Sequence, residues 1–152
     1  MANTQAMCSS FKQDLLNGLH AFGTSVVRAA TTADSFKAAL YLASATVDST
    51  TTAYSATGEV SGTNYTATGT AVGAWNAPSR TTTTAFTTPT SNIAWTTVTL
   101  ATAFDAVLIY NDTASGKNAV SVHTFGSQTV TAGNFTLTMP ANNNTAALIR
   151  IA

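Results

Sequence analysis

The residues able to do chemistry are few and far apart. His20 and His123 are the two histidines of this 152-residue chain, and Cys8 is its one cysteine. Neither histidine belongs to the short-spaced His/Cys pattern that holds a metal ion. A single cysteine forms no intramolecular disulfide and no cysteine cluster. Cys8 precedes a helical stretch and has only Lys12 nearby to activate it, so it reads as a small buried side chain. The six carboxylates, Asp14, Asp34, Asp48, Glu59, Asp105 and Asp112, are scattered singly. A glycosidase sets two carboxylates across a bond at a defined separation, and nothing in this spacing pairs them. Asp105 is expected to cap the apolar run that follows it, or to pair with Arg80 or Arg150. In "VSVHTFG", Val120 and Val122 take one strand face while Ser121 and His123 share the other. Trp75, Trp95 and the four tyrosines could stack a sugar, but Trp95 lies in an alternating strand and so reads as core. The glycines stand alone, outside any strand-loop-helix context that would cradle a phosphate. No catalytic, cofactor-binding or metal-ligating residue is assigned.

Composition narrows the partners. Charged residues are 8% of the chain and balance to a net charge of zero, which gives no pull towards nucleic acid or anionic lipid. No apolar segment approaches the ~20 residues that span a bilayer. No cationic stretch leads into an apolar run, so no secretory leader is expected. About a fifth of the residues are threonine and nearly another fifth alanine, so large apolar side chains are scarce. A thin core under an uncharged surface points to stability shared with neighbouring subunits, that is, to a homo-oligomer.

The elements read as follows. Residues 9–22, "SSFKQDLLNGLHAF", place Phe11, Leu15, Leu19 and Phe22 at helical spacing behind a serine cap. Residues 34–42 alternate as a strand, with Phe36, Ala38, Leu40 and Leu42 on one face. Residues 43–72 are polar and turn-rich around Tyr54, Val60 and Tyr65. The threonine-rich stretch 79–91 reads as an edge strand or a loop. Residues 92–100 and 106–110 read as two separate strands, the second continuously apolar like a central strand. "NDTASGKN" makes a hairpin loop. Ala132-Gly133 reads as a turn ahead of a strand carrying Phe135, Leu137 and Met139, and "AALIRIA" reads as the last strand. Threonine suits such a chain, because its branched Cβ fits a pleated strand and its hydroxyl wets the outer face without charge. The expected fold is all-β: a jelly-roll-like β-sandwich with one short N-terminal helix. Residues 1–24 form an N-terminal arm and helix, and residues 25–152 a single β-sandwich domain.

Along this order of elements, "FKAALY", "GEVSGTNYTATG", "WTTVTL", "AVLIYND" and "FGSQTVTAGNFTLTMP" follow an N-terminal helix. The chain resembles a family of small virion structural proteins of tailed bacteriophages, some of them capsid cement or decoration proteins, over residues 5–152. The family pattern tends to carry glycine where this chain has Asn64, a residue that tolerates a left-handed backbone, and a second glycine near Thr70. The resemblance implies a non-catalytic protein on the outer surface of the head. It would bridge seams of the major capsid protein, as a dimer or trimer on a symmetry axis. It implies no cofactor, no nucleic acid and no membrane partner. For that role the amphipathic stripe Phe11, Leu15, Leu19 and Phe22 is the expected capsid or subunit contact, with the loop at 79–91 next. The alternative is a tail-fibre or receptor-binding module, with Trp75 and neighbouring tyrosines grasping glycans.

Overall fold

A computed structural model describes residues 3–8, 10–11, 15, 19–20, 22, 32–81 and 83–152. The helix expected over 9–22 lies largely outside these residues. The described chain is nearly all β. Its strands are β1 (Ala6–Met7), β2 (Phe36–Leu42), β3 (Thr70–Ala71), β4 (Ser79–Thr81), β5 (Thr84–Thr87), β6 (Ile93–Asn111), β7 (Ala119–Leu137) and β8 (Ile149–Ile151). They form a five-stranded sheet, ordered β1-β7-β6-β2-β3, and a three-stranded sheet, ordered β4-β5-β8. All pairings are antiparallel.

β6 sits between β7 and β2, and its half from Ala106 to Asn111 is buried throughout. The continuous apolar run 106–110 therefore does become a central strand covered on both faces. β2 is buried on both faces as well, because residues 43–72 fold back over it rather than leaving one face wet. That segment contains no long strand, yet its backbone is tied to the sheet. Leu42 N–H donates to Gly58 O at 2.9 Å, Val60 N–H to Leu40 O at 3.0 Å, and Thr63 and Thr99 exchange two bonds of 3.1 Å. Asn64 adopts φ 60°, the left-handed conformation its type tolerates.

The largest difference from the sequence reading is β6–β7. The expected strands 92–100 and 106–110 are one strand of 19 residues, and Ala132-Gly133 is no chain reversal but a point inside β7, also 19 residues long. The hairpin stays paired while bending sharply. Phe125 and Phe135, both on β7, have ring centroids 5.0 Å apart, whereas ten residues of straight strand would separate them by about 33 Å. Bulges produce the bend. Leu100 and Phe104 stand opposite Val130 and Gln128, which leaves extra residues on β6; towards Ala106 and Thr124 the extra residues pass to β7. Thr97 (φ 52°) and Ala132 (φ 46°) take left-handed backbone at two further register shifts. Such a bulge adds a residue to one strand and kinks it without ending the ladder.

Phe104 lies inside the bend, with centroids 5.9 Å from Phe125 and 5.1 Å from Phe135. The two sheets share a single apolar core, since Ile149 of β8 belongs to the same cluster as Phe36, Leu40, Phe104 and Val122. Trp75 and Trp95 are 3% and 4% exposed. Trp75 packs edge-on against Phe22 (4.7 Å) and Phe36 (5.4 Å). Their burial removes them as a sugar-stacking platform.

Candidate functional site

The polar side chains are engaged one by one in holding loops to the sheet. Tyr54 and Tyr65 donate their hydroxyls to the two oxygens of Glu59, at 2.6 and 2.8 Å. Tyr65 also accepts from Leu40 N–H, and Tyr110 donates to Thr68 O. Burial pushes Tyr41 and Tyr110 up to about 12, and burial together with the Glu59 carboxylate lifts Tyr54 and Tyr65 further. All four phenols are therefore neutral donors at physiological pH. Asp48 accepts from the hydroxyl and amide of Thr50, each at 2.7 Å, which holds its carboxyl below the usual range. Asp112 meets Lys117 at 2.8 Å and Lys37 at 3.6 Å, with the same effect. Asp105 takes a hydrogen bond from Asn3 Nδ2 rather than pairing with Arg80 or Arg150; Asn3 thereby ties the N-terminal arm to β6 and, by accepting from Val47 N–H, to the loop after β2. Asp14 lies outside the described residues.

His20 is wedged among Phe11, Phe22 and Phe36, with centroids 4.9, 6.2 and 6.3 Å away. The fully buried Asn111 amide sits 3.1 Å from His20 Nδ1 and 2.9 Å from Asp34 Oδ2. This pins the arm to the start of β2 and the end of β6. Cys8 is fully buried, and burial with the Asp48 charge pushes its thiol up to about 11, so it is not a ready nucleophile. Among the described residues no three His, Cys, Asp or Glu converge as a metal site.

His123 does share a face with Ser121, and Nε2 stands 2.9 Å from Oγ. Ser121 is only 2% exposed, so the pair offers no accessible nucleophile. Burial pushes His123 down to about 4 from an ordinary 6.5. A depressed imidazole contributes stability that is fully present above pH ~6.5 and is lost as the pH falls towards about 4. The melting temperature should therefore drop between pH 7 and 4.5 by more in the wild type than in His123→Gln. Equal drops in circular-dichroism melts would contradict this. The carboxylates held low by Thr50 and by Lys117 titrate beneath that window and do not blur it.

Of the four residues expected to make contacts, Phe11, Leu15 and Phe22 line an apolar groove of about 250 Å³. Phe11, Leu15 and Phe22 form one wall, and Phe86 of β5 with Ile149 and Ile151 of β8 the other. Phe11 is itself fully buried, whereas Leu15, Leu19 and Phe22 are half-buried, and Leu19 does not line the groove. Ile151, at 46%, is the large apolar side chain left most exposed among the described residues. The stretch 79–91 supplies the β4–β5 hairpin, whose partner β8 brings Ile149 and Ile151 to one face. Sequence reading missed that second wall. Its signal was the alternation of Ile149 and Ile151 about Arg150.

No protein-family model, curated protein or solved structure matches the chain.

Proposed function

We propose that this chain is a structural protein of a tailed-bacteriophage virion, a capsid cement that binds across seams of the major capsid protein on the outer surface of the head and stabilises the shell without catalysis. The observation that carries the reading is the apolar groove between the N-terminal segment and β5–β8, with Ile151 exposed at its rim in a chain of zero net charge. A groove with no charged side chain among its described lining residues favours contact with a protein surface over nucleic acid or anionic membrane. The resemblance of the motif order to a phage virion family supports the same reading. The fold is then a jelly-roll-like β-sandwich with a short N-terminal helix, a reading supported by the bent β6–β7 hairpin and the one core shared by two sheets. The protein would act as a dimer or trimer, each contact repeated by symmetry. The glycan-grasping tail-fibre alternative loses its anchor with the burial of Trp75.

Ile151→Asp tests the contact directly. The side chain is half exposed, so the substitution leaves the fold intact. Burying its exposed half at an interface is worth half of the ~1.5–3 kcal/mol of a full isoleucine, and an unpaired carboxylate there adds a desolvation cost. Binding to capsids stripped of this protein should weaken by at least about tenfold. Unchanged binding by the folded variant would overturn the assignment of the groove.

A further inference from the structure

A second cavity, of about 440 Å³, lies between β1, the two ends of β7 and β8. It falls within the ~300–1,000 Å³ range of small-ligand sites. Because Arg150 alternates with Ile149 and Ile151 along β8, it projects to the opposite face of that strand from the groove. Gln5, His123, Thr138 and Arg150 are polar side chains that line the cavity, together with the apolar Met7, Leu137 and Met139. Among the described residues no acidic side chain lines it. Arg150 donates from Nη1 to Thr145 O at 2.6 Å, and among the described residues no carboxylate pairs with it. A guanidinium carries five N–H donors, so most of the fork remains available. The His123 ring is held in place by Ser121 through Nε2, and Nδ1 makes no hydrogen bond within the described chain.

We propose that this cavity binds a carboxylate attached to a short apolar chain. The carboxylate oxygens meet the Arg150 fork, the geometry in which arginine recognises a planar anion best. His123 and Gln5 complete the polar end, and the apolar chain lies against Met7, Leu137 and Met139. Chemistry of this kind reaches the site either as a free acid or as the carboxyl end of a polypeptide. The cavity and the contact groove occupy different faces, so this site stands or falls independently of the capsid reading.

The test is an NMR titration of the full chain, following the His123 imidazole and the Met7 and Met139 methyl groups. Hexanoate and an acetylated tripeptide ending in leucine are titrated in parallel, with 1-hexanol as the uncharged control. Saturable shifts at a Kd on the order of 1 mM are expected for at least one carboxylate, and the tighter of the two identifies the source. Arg150→Ala, at an exposed position, should weaken that binding at least tenfold with the remaining amide spectrum unchanged. Absence of saturable shifts with both carboxylates would overturn the proposal. So would equal binding of hexanol, or unaltered binding by Arg150→Ala.

Discussion

Phe104→Ala should destabilise the protein by about 3–5 kcal/mol, the range for emptying a buried phenylalanine site. Phe104 is fully buried and touches Phe125 and Phe135 from inside the bend of the β6–β7 hairpin. Those two rings belong to the two halves of one strand, so the cavity would open where the hairpin is folded on itself. Collapse is hindered there, because the surrounding backbone is already committed to bulges and to left-handed residues. A domain of this size has about 5–15 kcal/mol of stability in all. The loss is read as a lowered urea midpoint, and a loss below about 1 kcal/mol would show that the bend does not rest on this side chain.

Gly69→Ala should cost a similar amount, by backbone geometry instead of packing. Gly69 has φ +78°, and a Cβ built there would stand 2.0 Å from Ala38 O and 2.7 Å from Ala39 Cα. Both obstacles are backbone of β2, so no side chain can swing aside. Left-handed strain of about 1–3 kcal/mol and overpacking of about 1–3 kcal/mol act together. The outcome should be detachment of β3 from the edge of β2, where Lys37 and Ala38 pair with Ala71 and Thr70. Gly126→Ala is the matched control: its Cβ meets nothing within 4 Å and its φ is not left-handed. That variant should be neutral or slightly stabilised. Equal effects at the two glycines would refute the close approach at Gly69.

Much of the fold was legible where alternation is regular. β2, the hairpin loop after Asn111 and the terminal strand β8 all fall where period-two patterning and turn residues put them. The continuity of β6 and β7 was not legible. Ala132-Gly133 and the small residues 101–103 carry the composition of a turn, and a turn and a bulge draw on the same residue types. Only the partner strand distinguishes them, because pairing on both sides of Ala132 keeps the ladder going.

The apolar groove was half legible for a comparable reason. Helical spacing marked Phe11, Leu15 and Phe22, but their opposing wall comes from Phe86 and Ile149, remote in sequence and joined to one another by β5–β8 pairing. The same limit hid the Arg150–His123 cavity. Arg150 reads as one charge in a terminal strand until β7 bends far enough to bring His123 and Leu137 to a single cavity.

The most direct measurement is the molar ratio of this chain to the major capsid protein in purified virions, by quantitative mass spectrometry. A shell-wide cement requires a ratio near one or a simple fraction of it, with hundreds of copies per particle. A few copies per particle would move the protein to a vertex or the tail, and its absence from the particle would contradict the structural role altogether.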